Sequence, residues 1–408
     1  MAIANTFNNN AKITKAALKY IENQCVFMKY VNRGYDDQFK SEGGKAGDTA
    51  NIRIPGFGTY RSGKVALPTG NNEGFVPVTL QQGGADFQLS SKELALNVDE
   101  MITILGPRIS AVVTEINRQG LALANQISQT TGTPGTAPTS LKPFTDAFAK
   151  ITKYGAPADD NISCVIDYDT QSALVDSLGG RFAPQSSIGD QYTSGTMGKA
   201  AGMKFSADQQ VAIQTVGTFG TSTPAMSSSV TTEGQATVPT NGWASGASQL
   251  KKGDVIQIAG VYAVNSVTKL TTGKLMDFVV TADTSDSGGA MATLPISPAL
   301  YTAASGPLQN VTAMPASGAA VYVYGLQNNT YSAKVSPMNL VFHKDAFLLA
   351  SADLAPVPGS TRMKHPKLDF SIRVSNFWDG RTDDQLYRLD VLFGWALLRP
   401  NFAARVQG

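Results

Sequence analysis

The chain has 408 residues, of which 42% are hydrophobic and 16% are charged, and its formal net charge is +2. This length predicts two or three domains, and the small net charge excludes tight binding of nucleic acid by phosphate neutralisation. A charged fraction below the usual quarter or so indicates a surface of neutral polar residues, or one that other subunits cover.

The start of the chain has no apolar core of the kind a signal peptide carries, and the longest apolar run, residues 391–398, is too short to span a bilayer. We therefore expect a protein made in a cytoplasm, with no membrane contact. Cys25 and Cys164 lack a paired spacing, so two reduced cysteines are expected.

In chain order, the first predicted element is an N-terminal arm, residues 1–35, with a short amphipathic helix. Residues 36–90 are rich in glycine and turns and have strand-like runs on both sides of residues 61–72. This pattern predicts an extended hairpin loop with a loose tip and little core beneath it.

The next region, residues 91–150, contains a long helical stripe that includes Ile109, Val112 and Ile116. A capping-box pattern at Asn97 and Glu100 precedes it. Pro107 leaves two alternatives: one kinked helix, or a short turn followed by a helix from Pro107 to about Gln129. Either form is long enough to act as a spine.

Residues 151–215 show mixed α and β character, with a buried strand at residues 163–166 and a helix that Asp169 is expected to cap. Residues 216–332 have no helical period, four lysines, no arginine and five acidic residues, with short β-like runs between turns. They predict an inserted all-β domain with a polar entrance. Residues 333–408 contain two alternating runs around Asp379 and Gly380, typical of an antiparallel pair with one buried face.

The sequence contains few residues of the kinds that catalytic sites use. His343 and His365 are the only histidines, and isolated histidines of this kind are much more often packing or surface residues than general bases. The stretch Gly58–Val65 matches a phosphate-binding loop except at Val65, which has no hydroxyl for Mg²⁺, and no helix is predicted to follow it. A flexible hairpin tip is the favoured interpretation.

The acidic pairs are equally poor candidates for a site. Asp283 and Asp286 lack the ligand spacing of a calcium loop, so they indicate a turn. Asp383 and Asp384 are adjacent, which would point them to opposite faces of a strand. The sequence thus predicts no catalytic residue, cofactor or metal ion, and no enzymatic activity.

Three short stretches carry a resemblance to a known family. They are Leu250–Val261, which is similar to the opening of an inserted barrel, Gly195–Gly202 with Phe205, and Leu392–Pro400 with its closing Arg-Pro. Together with the order of the elements, they resemble the tailed-phage capsid subunit of the Hong Kong type, also called the Johnson fold. The insert resembles that of coat proteins from short-tailed phages related to the Salmonella podovirus.

The resemblance implies an α+β fold: N-terminal arm, extended hairpin, peripheral and axial domains with a spine helix, and an inserted all-β barrel. It implies a major capsid protein that assembles as hexamers and pentamers around a scaffolding protein, with a portal protein, and expands to enclose double-stranded DNA. Assembly in the host cytoplasm and a place in the virion capsid follow. Arg61 and Lys64 are then candidates for contact with acidic groups of a neighbouring subunit.

The leading alternative is a surface or tail β-fibre protein, which the Ser/Thr/Gly-rich segment 215–249 favours. The spine helix and the lack of repeats disfavour it. An enzyme is third, because no nucleophile and base occur together in a recognisable pattern.

Overall fold

The computed structural model describes residues 26–33, 49–54, 74–90, 101–178, 198–219, 223–246, 249–324, 333–364 and 370–408, together with residues 56, 58, 63, 64 and 92. Most of the predicted arm, the capping box at Asn97 and Glu100, and His365 lie outside these residues.

The helices among the described residues are α1 (Met101–Ala122), α2 (Lys142–Lys153) and α3 (Tyr168–Leu178). In this part of the chain no helix is long and apolar enough to cross a membrane. The strands are β1 (Thr49–Ile54), β2 (Gly74–Thr79), β3 (Gln81–Ser90), β4 (Thr130–Gly132), β5 (Ile162–Ile166), β6 (Lys199–Ala200), β7 (Met203–Ala207), β8 (Ile213–Thr215), β9 (Ala225–Met226), β10 (Gln235–Asn241), β11 (Gln249–Leu250), β12 (Val255–Val264), β13 (Thr271–Val280), β14 (Thr284–Ser285), β15 (Ala290–Leu300), β16 (Val321–Val323), β17 (Val335–His343), β18 (Phe347–Ser351), β19 (Ser360–Lys364), β20 (Ser371–Asp379), β21 (Asp384–Leu397) and β22 (Ala403–Gln407).

The chain divides into two compact units. The first consists of Met1–Ile52, Val76–Gly120 and Phe347–Ala396, and the second of Arg53–Phe75, Leu121–Ala346 and Leu397–Gly408. The combination of helices and sheets is α+β, as the sequence predicts.

The first unit is built on a sheet in which β21 is central. β20 and β3 both pair with β21 in antiparallel fashion, and β19 pairs with β20. The alternating residues Ile372, Val374, Leu389 and Val391 are buried on one face. The predicted antiparallel pair is therefore confirmed, but the opposite face is also buried, at Ser371, Ser375 and Asp390.

Strand β3 departs from the predicted hairpin, which was expected to run to residue 90. Of these three strands, β1 and β2 pair with each other in a two-stranded sheet, whereas Gln81–Ser90 pairs with β21 along its length. Phe87 stacks on Tyr387 at 4.9 Å between ring centroids. A cross-strand aromatic pair of this kind stabilises the pairing, and nothing local in the sequence of β3 announces it.

Helix α1 settles the question that Pro107 raised, because it is one helix that contains the proline. The helix ends at Ala122, and a 3₁₀ turn, Leu123–Gln126, replaces its predicted last turns. Ile109, Val112 and Ile116 are buried as predicted. Within the first unit, the indole nitrogen of Trp395 donates to the Ile116 carbonyl at 3.0 Å.

The second unit contains a sheet with the order β4-β22-β17-β5-β7-β6, and β8 also pairs with β17. All residues of β5 are buried, and α2 packs Phe144, Ala147 and Ile151 inward. The capping prediction for α3 is wrong by two residues: the backbone N–H of Asp169 donates to the carboxylate of Asp167, so Asp167 is the capping side chain.

A six-stranded sheet with the order β16-β12-β13-β15-β10-β9 fills the region between β8 and β17. A bridge between Ala225 and Ala320 brings β9 beside the start of β16, so the sheet closes into the all-β barrel that the sequence predicts. Its interior is a continuous apolar core with Ile256, Ile258 and Phe278 fully buried. Closure leaves few strand edges for pairing with other chains.

The two chain ends of the barrel lie side by side. Thr215 pairs with Val335, the Val216 N–H donates to the Lys334 carbonyl at 2.9 Å, and the Ala333 N–H donates to the Gly217 carbonyl at 3.1 Å. We call this crossing the neck. Adjacent ends are what an insertion into a host sheet requires.

Candidate subunit contacts and the barrel junction

The structure places only one of the two predicted contact residues. Lys64 is exposed, next to Gly63 with a φ of +94°, whereas Arg61 lies outside the described residues. The phosphate-loop match Gly58–Val65 is described only at residues 58, 63 and 64. The contact role of Arg61 and Lys64 stays a prediction.

A second exposed feature is the turn that joins β20 to β21, which we call the hairpin tip (residues 377–386). Phe377 is 44% exposed, Trp378 is 56% exposed and Leu386 is 39% exposed. Phe377 and Leu386 pair across the two strands on one face of the tip, and Trp378 lies on the other face, so apolar side chains are exposed on both sides. Two adjacent aromatic residues on a strand must face opposite sides, so the sequence did contain a signal that one of them leaves the core face.

The barrel joins the sheet of the second unit through buried polar groups, beginning with Asp254. Its carboxylate accepts hydrogen bonds from the Gln214 side chain at 2.8 Å and from the backbone N–H groups of Lys251 and Gly217 at 2.8 and 3.0 Å. Burial raises the pKa of Asp254 to about 6, against the lowering effect of these donors and of Arg405. The Lys-Gly-Asp turn thus ties the barrel's first strands to β8.

Arg405 on β22 is fully buried beside this turn. Its guanidinium donates to the Gln214 side-chain oxygen at 3.0 Å and to the Gly253 carbonyl. Burial lowers the pKa of Arg405 to about 10, while the carboxylates of Asp254 and Asp277 act in the opposite direction. A Cβ on Gly253, whose φ is +98°, would lie 2.8 Å from Asn125 Oδ1, so this position requires glycine.

A second buried pair joins α2 to β13. The ammonium group of Lys150 contacts the fully buried carboxylate of Asp277 and donates to the Thr130 carbonyl at 2.9 Å. The Gln257 side chain donates to the other oxygen of Asp277 at 2.6 Å. Asp277 raises the pKa of the neighbouring Tyr154 hydroxyl, in addition to the larger effect of burial.

No local sequence pattern predicts that Lys150, Asp277 and Arg405 lie together. The one available signal was an arginine inside the closing apolar strand Ala403–Gln407, a position where an unpaired charge would be costly. The junction is a structural device: it holds two parts of one chain together and contains no nucleophile and base pair.

His343, Asp283 and Asp286, which the sequence analysis singled out, bond to other groups of the chain. His343 is buried, with Nε2 3.1 Å from Asp159 and its ring edge-on to Phe402. Asp286 accepts from the backbone N–H of Gly289 within its own turn and from that of Gly246, and Asp283 accepts from the backbone N–H of Lys252. Across the described ranges no three His, Cys, Asp or Glu side chains converge on a metal position. Cys164 is buried and free, and burial raises its pKa.

Comparison with solved structures gives low sequence identities over most of the chain. A structure from Mycobacterium phage Che8 is 12% identical with a TM-score of 0.47, covering 94% of this chain and 91% of that one. The capsid of the cyanophage P-SCSP1u is 12% identical with a TM-score of 0.43, covering 88% and 83%. The CUS-3 coat protein I-domain is 30% identical with a TM-score of 0.20, and covers 26% of this chain and 98% of that one.

No curated protein matches the chain. One family model, described as P22 coat protein, gene protein 5, matches residues 3–407. Because this match spans nearly the whole sequence, the chain belongs to the P22 coat protein family.

Proposed function

We propose that this chain, a major capsid protein by its family, builds the icosahedral shell of a tailed phage as hexamers and pentamers. Assembly proceeds in the host cytoplasm around a scaffolding protein, with a portal protein, and the shell expands as double-stranded DNA enters. The finished protein resides in the virion capsid and does not act as an enzyme. DNA is confined without specific contacts, which the net charge of +2 supports.

The observation that carries this proposal is the family match over residues 3–407. The exposed apolar hairpin tip and the low charged fraction suit a protein whose faces meet copies of itself, because many weak contacts in a closed array give a stable shell. The fibre alternative has no comparable support.

Expression with the phage's own scaffolding protein tests the proposal. Purified material should sediment as closed particles that electron microscopy shows as shells. A dispersed monomer at high concentration, with scaffold present, would contradict shell assembly, and filaments would support the fibre alternative instead.

The extended hairpin is proposed to contact a neighbouring subunit through Arg61 and Lys64. Exposure of Lys64 supports this role. Replacing both residues with glutamate should block assembly and leave the melting temperature of the unassembled subunit nearly unchanged. A lowered melting temperature would mean that the loop packs within its own chain.

Residues 216–332 are proposed to be an inserted domain able to fold alone. In this division 91–150 form a peripheral domain with the spine helix, 151–215 the first part of an axial domain, and 333–408 the return strands of the axial and peripheral domains. The neck and the internal core of the barrel support this division. In an isolated fragment, Asp254 and Asp277 lose Arg405 and Lys150, so a second fragment should carry Asp254→Asn and Asp277→Asn. Circular dichroism and amide-proton spectra should show a β-rich fold, whereas random-coil spectra from both fragments would contradict it.

A further inference from the structure

A groove lies between α2 and the β12–β13 hairpin within the second unit, and we call it the lysine groove. It has a volume of about 630 Å³ and is lined on one side by Lys142, Lys150 and Lys153 and on the other by Tyr262 and Lys274, among others. This volume falls within the range of about 300 to 1,000 Å³ that ligand sites occupy.

The charges in the lysine groove are unbalanced. Four lysines and one aspartate line it. Lys142 pairs with that aspartate, Asp146, at 2.8 Å, and Lys150 is held by the buried Asp277. Lys153 and Lys274 are exposed and have no carboxylate partner within the described ranges. Two positive charges therefore face each other across the groove, from a helix and from a strand.

The walls of the groove are fixed rather than adaptable. Lys150 is anchored to the Thr130 carbonyl and to Asp277, and Asn265, in the turn after β12, donates to the Lys153 carbonyl at 2.7 Å. Preorganised walls of this kind lower the ordering entropy that a ligand must overcome. Tyr262 is 43% exposed and adds an aromatic surface beside the charges.

Two free lysines are few for a nucleic acid. A duplex offers a row of phosphates, and proteins hold it with several basic side chains, preferably arginine, which forms paired hydrogen bonds with phosphate. The groove has no arginine. Two point charges flanking an aromatic ring suit an extended peptide that carries carboxylates and apolar side chains.

The described acidic turns of the chain itself are poor occupants, because they are already engaged. Asp283 and Asp286 accept backbone N–H groups, Asp384 accepts from Gln88, and Asp160 pairs with Lys199. A second copy would have to break these bonds to supply any of these four carboxylates.

From these observations we infer that the lysine groove is a docking site for an acidic, extended peptide segment of a second protein, bound through carboxylates on Lys153 and Lys274 and through apolar contact with Tyr262. This interaction goes beyond the proposed function, which assigns no partner to this groove.

The test measures binding of a fluorescein-labelled peptide of alternating glutamate and glycine to the full-length protein by fluorescence anisotropy. At about 50 mM salt, where screening is weaker than at physiological strength, the peptide should bind. The Lys153→Glu/Lys274→Glu protein should bind it at least about tenfold more weakly, a difference of about 1.4 kcal/mol. Lys153→Gln/Lys274→Gln should show the same direction and serves if the glutamate protein fails to fold.

The matched control is Lys92→Glu/Lys344→Glu, which makes the same charge change at exposed lysines outside the groove. It should bind within about twofold of the unmodified protein, because charges distant from the site are screened. Equal weakening in control and groove variants would overturn the proposal, as would equal binding of a glutamine-glycine peptide. Tighter binding of a short DNA duplex with the same lysine dependence, or self-association lost only in the groove variants, would overturn it in favour of a nucleic acid or a second copy.

Discussion

The barrel junction buries charged side chains, whereas the hairpin tip exposes apolar ones. At the junction, Arg405, Lys150, Asp254 and Asp277 are buried or nearly so. Lys150 contacts the carboxylate of Asp277, whereas Arg405 and Asp254 bond to the Gln214 side chain and to backbone groups. At the tip, the apolar side chains of Phe377, Trp378 and Leu386 stay in solvent while nearby charges pair loosely, as Arg381 and Asp379 do at 3.7 Å.

The difference separates two kinds of stability. Buried charges that lose a partner destabilise the fold directly, because the remaining charge has no water to solvate it. Exposed apolar groups add little to the stability of the subunit, and they contribute a favourable free energy only when another molecule covers them. Substitutions at the junction should therefore be seen in the unassembled subunit, and substitutions at the tip only in the shell.

The largest effect is expected for Arg405→Met, which leaves Asp254 and Asp277 without the buried guanidinium between the barrel and β22. The free energy of unfolding of the unassembled subunit should fall by about 3 to 5 kcal/mol, as measured by urea denaturation. Arg381→Met, at a 92% exposed side chain, is the control and should change it by less than about 0.5 kcal/mol. Equal effects would mean that the junction does not hold the fold together.

Lys150→Met should lower the free energy of unfolding by about 3 kcal/mol, because it leaves the buried carboxylate of Asp277 without its cationic partner. Adding Asp277→Asn should restore half of the loss or more, since neither charge then remains buried. Lys142→Met, which removes an exposed pair with Asp146 on the same helix, should cost about 0.5 kcal/mol or less. If the double variant is less stable than Lys150→Met alone, the pair is not the reason for the loss.

A smaller effect, visible only as a pH dependence, is expected for Asp254→Asn. The pKa of Asp254 is raised to about 6 from 3.8, so between these values the folded state binds more protons than the unfolded state. This carboxyl therefore makes stability fall by about 2 to 3 kcal/mol as the pH rises from about 4 to 6. In the variant that slope should vanish and leave a constant offset, as urea denaturation across this range would show. If the pH dependence of the free energy of unfolding is unchanged in the variant, a group other than Asp254 causes it.

The smallest effect on the subunit is expected at the hairpin tip. Phe377→Ser/Trp378→Ser should change the free energy of unfolding by less than about 0.5 kcal/mol per site, yet the yield of sedimenting particles in the presence of scaffold should drop. Tyr168→Ser, at a comparably exposed aromatic residue of α3, should affect neither quantity. Normal particle yield from the tip variant would show that this apolar surface is not a subunit contact.

Local patterns in the sequence predicted the elements whose period is strong, which are the buried stripe of α1 and the alternating pair β20 and β21. Short β-like runs between turns predicted the all-β character of residues 216–332. The pairing of β3 with β21 escaped prediction because it joins residues about 300 positions apart in the chain and β3 has no clear alternation. Arg405 escaped for a related reason. Its environment is created by Gln214 and Gly253, which no local pattern connects to the closing strand.

The neck allows the barrel to be removed from the chain without separating the strands that flank it. Thr215 and Val335 are paired neighbours in the host sheet, so the whole barrel replaces a single loop between β8 and β17. The entropic cost of closing a loop grows only logarithmically with its length. Excising the barrel and joining the neck with a short turn would thus keep the sheet connected, but it would leave Arg405 and Lys150 without their carboxylates. A shell protein without the barrel would therefore need neutral residues at positions 405 and 150. Conversely, a different host sheet that receives the barrel would need two cationic side chains at the corresponding positions.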